Sequence, residues 1–354
     1  MRDRVMFGMM VSAGNIGQCE RTAAAFAQAA GKDAVLGVQT DDLVRGEPPL
    51  QSFIETRRSE PWRDVLLWDK QCDDAWQSTW PAFLPRPFYT GDDIFSYGGA
   101  LNRLLVLALV AQTPVLVRVD GGTVPMNAPP FVESLEKHLA RLDQYAVISG
   151  GYKGRLALRD LKGVDPTAFH DLVERRIAVR PSKQLTGGAC FALRVKDGPP
   201  AIAFPGFLPV WASDDAFFQS AAPSFLVNND DNDGLFLERP GYGQPLEGPE
   251  YLARLACATA LTAMHQNANL SLKEIPIVDE VVAAGKAFLD ELRESFPDAL
   301  RASHHAGALQ RLQERALGLI EGYENYIELK ARWGDVCSEI ATMAARSLPF
   351  SIGR

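Results

Sequence analysis

The run Val115-Leu116-Val117-Arg118-Val119-Asp120-Gly121-Gly122-Thr123-Val124-Pro125 constrains the fold more than any other stretch of the chain. An apolar, β-branched segment of this length reads as a strand buried on both faces. Strands of that kind belong to parallel sheets covered by helices, because a sheet with one wet face alternates instead. The segment stops at one acidic residue, two glycines and a proline, which is turn chemistry. A carboxylate at the mouth of such a strand lies where open α/β sheets bind their ligands.

The N-terminal third repeats the same grammar. Val5–Val11 is apolar and is followed by Ser12-Ala13-Gly14-Asn15-Ile16-Gly17. Glu20–Ala30 is alanine-rich and helix-prone, and Gly31 suits its C-terminal cap. Ala34–Gln39 reads as a second strand ending in Thr40-Asp41-Asp42, which completes a βαβ unit. Pro48–Glu60 reads as loop, Asp64–Trp68 as a third strand, and Asp69–Trp80 as a short helix or loop.

Tyr97–Ala111, with Leu101, Leu104, Leu105, Leu107 and Leu109, reads as a helix leading into the Val115–Val119 strand. Pro129–Leu142 reads as a further helix, and Ala146–Ser149 and Thr186–Arg194 as strands. Pro240, Gly241, Gly243, Pro245 and Gly248 mark a boundary near Arg239–Gly248. Beyond it Leu309, Leu312, Ala316, Leu319, Tyr323, Ile327, Val336, Ile340 and Met343 keep near-helical spacing. The expected organisation is an α/β domain over 1–240 and a helical segment over 241–354. That segment packs on the first domain or mediates a homodimer. Tyr323, Tyr326 and Trp333 are available to line an acceptor pocket.

Composition narrows the function. The net charge of −8 over 354 residues argues against a nucleic-acid binder, which needs a basic stripe. No apolar run approaches the roughly 18 residues of a transmembrane helix, and the apolar start is too short for a signal peptide. Five scattered cysteines without a CxxC pair fit reduced thiols in the cytoplasm better than a zinc site.

The first loop admits two readings. Ser12-x-Gly14-x-x-Gly17 after a strand, with Asp41 and Asp42 ending the next, approximates a dinucleotide fingerprint and so an NAD(P)-dependent oxidoreductase. Ser12 stands where that fingerprint needs its first glycine. Alternatively the loop and the acids hold a nucleobase and ribose, with phosphates further along at Asp120.

The order of features from 90 to 220 resembles the GT-A nucleotide-sugar glycosyltransferases of the family-2-like group. Gly99-Ala100-Leu101-Asn102-Arg103 precedes the apolar strand, where those enzymes carry a small-residue and Arg-Asn stretch. Asp120-Gly121-Gly122 stands where they carry Asp-x-Asp, and Gly187-Gly188-Ala189-Cys190-Phe191-Ala192-Leu193-Arg194 is similar to their glycine-led acceptor strand. Trp211-Ala212-Ser213-Asp214-Asp215-Ala216-Phe217-Phe218 looks like their acidic pair at a helix start, and Val227-Asn228-Asn229-Asp230 lies where several members end a strand in a histidine ligand. Gly122 replaces the second aspartate, and asparagine or aspartate replaces the histidine.

The resemblance implies a GT-A-like, Rossmann-like mixed sheet flanked by helices, with a helical C-terminal extension. It implies hexosyl transfer from a nucleotide diphosphate sugar to a small hydroxylated acceptor. Ser12, Gly14, Asp41, Asp42, Asn102 and Arg103 would bind the nucleotide, and Asp120 would hold Mg2+ or Mn2+ against the diphosphate. Asp215, or else Asp214, would deprotonate the acceptor. Lys153, Arg155, Gly187 and Gly188 would bind the acceptor, the two cations suiting an anionic one.

Each assignment has a plainer counterpart: a turn-capping carboxylate at Asp120, an N-cap at Asp214, solvated strand ends at Asp41 and Asp42, a surface helix arginine at Arg103, and an ordinary turn at Lys153 and Arg155. His265, His304 and His305 read as helical or capping residues before metal ligands. A nucleotide-sugar-binding protein without catalysis on the same fold is the third functional alternative.

Overall fold

The architecture comes from a computed structural model that describes residues 5–30, 32–87, 97–125, 147–149, 152–153, 190–195, 227–228, 237–238 and 325–344, with a few isolated positions besides. The first half runs β1 (Val5–Met10), α1 (Ile16–Ala30), β2 (Val35–Gln39), α2 (Pro48–Arg58), β3 (Asp64–Trp68), α3 (Lys70–Thr79), α4 (Tyr97–Val110) and β4 (Val115–Val119). The short strands β5 (Val124–Pro125), β6 (Val147–Ser149), β7 (Tyr152–Lys153), β8 (Cys190–Arg194), β9 (Val227–Asn228) and β10 (Leu237–Glu238) follow. A helix near the C-terminus, here α5, spans Trp333–Ala344 and is preceded by helical residues 325–331.

Among the described residues, seven strands form the main sheet in the order β3-β2-β1-β4-β8-β6-β9, and β5-β10-β7 form a small second one. β3, β2, β1 and β4 are mutually parallel. β8 runs antiparallel between β4 and β6. The fold class is therefore α/β with a mixed, Rossmann-like sheet, as the GT-A resemblance implies.

Alternation along each strand divides the core into two layers. Val5, Phe7, Met9, Leu36, Val38, Val65, Leu67, Val115, Val117 and Val119 pack with Phe26 of α1 and Phe53 of α2. Met6, Val35, Leu66, Trp68 and Leu116 face the other way, against Trp76 of α3 and Leu104 of α4. Both faces of the sheet are thus dry, which is why its parallel strands read as unbroken apolar runs.

α4 is buried nearly all round, from Ala100 to Leu109. A helix of that kind must be covered on both sides. The sheet lies beneath it, where Gly8 and Gly37 sit in register on β1 and β2. A Cβ on Gly8 would stand 2.8 Å from Leu116 Cδ1 and 3.1 Å from Leu104 Cδ1, so the missing side chain lets α4 approach. On its outer side Leu329, Trp333, Val336, Ile340 and Met343 of the C-terminal helical residues join the same core.

The strands at Val5–Met10, Val35–Gln39, Asp64–Trp68 and Val115–Val119 match the sequence reading to within a residue. The segment Pro48–Glu60 is a correction: it holds α2, not a loop. Its prolines stand in the first turn, where a missing N–H costs nothing, and Leu50, Phe53, Ile54 and Arg57 form its buried stripe. Asp69 caps α3, accepting from Cys72 N at 3.1 Å, and so settles Asp69–Trp80 as helix.

Ile327 is another correction, because it is exposed. The buried stripe passes instead through Tyr326, Leu329, Trp333, Val336, Ile340 and Met343. Tyr326 and Trp333 are core residues, not pocket walls. The predicted helix over 129–142 falls largely outside the described residues, as does the boundary at 239–248.

Candidate functional site at the carboxyl edge of the parallel strands

The chain leaves β1 toward β2 on one side and returns from β3 to β4 on the other. The connection direction therefore reverses between β1 and β4, and the crevice at such a reversal is the usual ligand site of an open α/β sheet. Four of the sequence-predicted residues converge there: Ser12 and Gly14 after β1, and Asp41 and Asp42 after β2. Asp120, after β4, borders the same crevice.

The loop after β1 is shaped by Asn15. Its Oδ1 accepts from Ser12 N at 2.7 Å, and its Nδ2 donates to Met10 O at 3.2 Å. Ala13 N donates to Asp42 Oδ2 at 3.0 Å, tying this loop to the end of β2. A Cβ on Gly17 would meet nothing within 4 Å. The third glycine of a dinucleotide fingerprint exists to let helix and strand pack closely. Gly17 has no such job, and Ser12 already replaces the first glycine. The oxidoreductase reading loses its local support on both counts.

Gln39, Asp41, Asp73 and Arg103 form a charged rim on the α4 side. Arg103 is 7% exposed and clasps Asp73 through Nε at 2.9 Å and NH2 at 3.0 Å. Its NH1 lies 3.9 Å from Asp41 Oδ1. Gln39 Nε2 donates to the same Asp41 oxygen at 2.7 Å, and Trp68 Nε1 donates to Asp73 Oδ1 at 2.7 Å. Burial raises the Asp41 pKa above its ordinary value, Arg103 opposes the rise, and Asp73 adds to it. Arg103 is thus neither a surface arginine nor an open phosphate ligand. It is spent on two carboxylates. Asn102 has no exposed surface, so no ligand touches it in this arrangement.

Asp120 follows β4 in a tight turn. Thr123 N donates to its carbonyl at 3.1 Å, and the Thr123 hydroxyl donates to that oxygen too. Gly122 has φ +89° and donates its N–H to Thr22 Oγ1 of α1 at 2.8 Å. A Cβ on Gly121 would lie 2.7 Å from Cys19 Sγ. The two glycines are therefore required by the close seat of this turn on α1 and by its backbone conformation. Cys19 lies beneath, its thiol pushed up to about 12 by burial, with Asp120 and Glu20 adding to the effect. The Asp120 carboxylate is bound by Arg118.

A divalent cation at Asp120 is chemically reasonable. Mg2+ is commonly held by one or two carboxylates plus the phosphates of a substrate, and Asp120 offers one hard oxygen donor at the crevice. Among the described residues no cluster of three His, Cys, Asp or Glu side chains assembles for a metal.

Asp214, Asp215, Arg155, Gly187 and Gly188 lie outside the described residues. Lys153 is on β7, in register with Glu238 of β10. Gln39, Asp73, Asn15 and Arg118 were missed by the sequence reading. Only Arg118, a lone charge within an apolar strand, carried a signal.

No described protein family matches the chain, and no curated protein resembles it in sequence. Among solved structures it is similar to a mannosyltransferase from Pyrobaculum calidifontis in complex with GDP-Man and Mn2+. The identity there is 14% and the TM-score 0.46, over 98% of this chain and 87% of that one. It is also similar to glucosyl-3-phosphoglycerate synthase from Mycobacterium tuberculosis in complex with phosphoglyceric acid, at 13% identity and a TM-score of 0.44, over 74% of this chain and 80% of that one. Among the described residues, no helix is long and apolar enough to cross a membrane.

Proposed function

We propose that the chain is a hexosyltransferase that moves a sugar from a nucleotide diphosphate sugar to a small hydroxylated acceptor. The observation that carries this reading is the convergence of the β1 loop, the acids after β2 and Asp120 at one sheet edge, beside the strand reversal. In this reading the nucleoside lies along Ser12–Gly14 and is oriented by Asp41 or Asp42. Asp41 is the better placed of the two, since Gln39 holds its carboxylate at 2.7 Å while its side chain stays 31% exposed. Arg103 and Asn102 support the site from within α4 without touching the donor.

The diphosphate then reaches the mouth of β4. Asp120 would hold Mg2+ or Mn2+ there, and a bound divalent cation supplies stabilisation of the charge that develops on the leaving diphosphate. Asp215, with Asp214 as the alternative, would accept the acceptor proton in an inverting reaction or orient the acceptor in a retaining one. Lys153 and Arg155, with Gly187 and Gly188, would receive the acceptor, and an anionic acceptor suits those cations. We place the protein in the cytoplasm, with 1–240 as the donor-binding and catalytic unit and 241–354 as a helical extension that serves packing or a homodimer.

Isothermal titration with uridine and guanosine diphosphates in the presence of Mn2+ tests the reading. One of them should bind, and Asp41→Ala should weaken it by roughly tenfold or more, the scale of one directed polar contact. Tight binding of reduced nicotinamide cofactor and of neither diphosphate would overturn it. Binding with neither sugar transfer nor donor hydrolysis, across a panel of nucleotide sugars, would leave a binding protein in place of an enzyme.

A further inference from the structure

The acid at the mouth of β4 is not a bare carboxylate. Arg118 stands two residues before it on the same side of the strand. Leu116, two residues earlier again, packs into the α4-side core, so Arg118 rises from that dry layer. Its side chain is 1% exposed, whereas that of Asp120 is 22% exposed. The guanidinium NH2 donates to Asp120 Oδ1. The turn that carries Asp120 is pinned separately, by Thr123 on its carbonyl and by Thr22 on Gly122 N. Main chain and carboxylate are thus each held in place.

The charge balance at this point has a consequence for the ligand. The Arg118 guanidinium brings a positive charge to this point. A lone Asp120 would repel an incoming diphosphate, and a cation would have to bridge them. Paired with Arg118, the acid presents no net charge, and the guanidinium acts through a poorly screened interior where its field reaches further than in water. Gly122 meanwhile leaves this turn with one carboxylate.

We propose that Arg118 is a positioning and charge-balancing residue of the donor site, which gives nucleoside diphosphate binding a component that needs no divalent cation. This rests on the donor reading above. Arg118 fixes the Asp120 carboxylate in one geometry and cancels its repulsion of the diphosphate.

The test is isothermal titration of the full chain with uridine and guanosine diphosphates, once in EDTA and once in Mn2+. The native protein should bind one of them in EDTA. Arg118→Gln should lose roughly tenfold or more of that affinity, the scale of one charge-assisted interaction, while Arg118→Lys, which keeps the charge, should retain most of it. Circular dichroism establishes that each variant is folded. Should Arg118→Gln fail to fold, Asp120→Asn makes the reciprocal test: it should bind the diphosphate more tightly than the native protein in EDTA and gain less from Mn2+. Native binding that vanishes in EDTA but appears with Mn2+ would overturn the proposal and leave the donor reading intact. So would unchanged EDTA affinity in Arg118→Gln, or no gain in Asp120→Asn. Absence of binding under both conditions would instead remove the donor reading itself.

Discussion

Two buried arginines organise the acids of the crevice, and they do different things. Arg103 lies between Asp73 and Asp41 but spends its two short contacts on Asp73. Asp41 is left with a distant cation, a neighbouring acid and partial burial, and burial wins: its pKa is raised. The sign of the linked stability follows. A carboxyl whose folded pKa lies above its unfolded value, about 3.9, favours folding fully only below that value. The contribution is lost as pH rises through the folded pKa. Above its folded pKa the ionised Asp41 is therefore a net cost to the fold. Asp41→Asn should melt at a higher temperature than the native protein at pH 7, and the difference should shrink as the pH falls toward about 4, as thermal melts across that range would show. A variant that melts lower at pH 7 would mean that the Arg103 contact outweighs burial. A residue that costs stability at working pH is commonly kept for a site, which agrees with the nucleoside role proposed for it.

The strands of the parallel half were legible because they are almost wholly buried. β1, β2, β3 and β4 are short apolar runs bounded by turn residues, and their length and flanks mark them as strands. α2 was not legible because Pro48-Pro49 signals both a loop and a helix start, and only the tertiary burial of Phe53 and Ile54 decides between them. The site was legible in part for the same physical reason. Strand ends announce Asp41, Asp42 and Asp120 locally. Asp73 and Arg103 are 30 residues apart and meet only once α3 and α4 share a face of the sheet. Packing of α4 on that face is testable through the two glycines beneath it. Gly8→Ala would press a methyl group onto Leu116 and Leu104, and should cost about 1–3 kcal/mol, the usual range for overpacking. At Gly37 the obstacle is the flexible Met6 side chain, with Sδ at 2.8 Å from the added Cβ. Methionine adapts readily, so Gly37→Ala should cost less than Gly8→Ala in urea unfolding. The reverse order would mean that α4 does not rest on β1 as closely as described.

At the scale of the molecule, α4 connects the crevice to the far end of the chain. Its inner side lies on β1, β2 and β4, its second turn carries Asn102 and Arg103, and its outer side is covered by Trp333, Val336, Ile340 and Met343. The residues before the C-terminal helix are tied down as well: the Asn325 amide accepts from Arg86 N and donates to Arg86 O, both at 2.8 Å. Arg332 NH1 donates to Phe83 O at 2.8 Å. Three contacts thus clasp the stretch after α3 to the C-terminal helical residues. A helix that completes the burial of α4 cannot be lost without exposing the layer from which Arg103 and Arg118 reach the crevice. Ile340 is fully buried in that layer. Ile340→Ala should destabilise the protein by about 2–5 kcal/mol, the range for deleting a large aliphatic side chain from a core. The loss should appear as one cooperative shift of the urea transition, followed both by tryptophan fluorescence and by far-ultraviolet circular dichroism. Nucleoside diphosphate affinity should remain at native strength below the transition, because Ile340 stands behind α4 and not at the sheet edge. Two separate transitions, with the sheet unaffected, would show instead that α5 is an independent unit resting on a sheet domain complete without it.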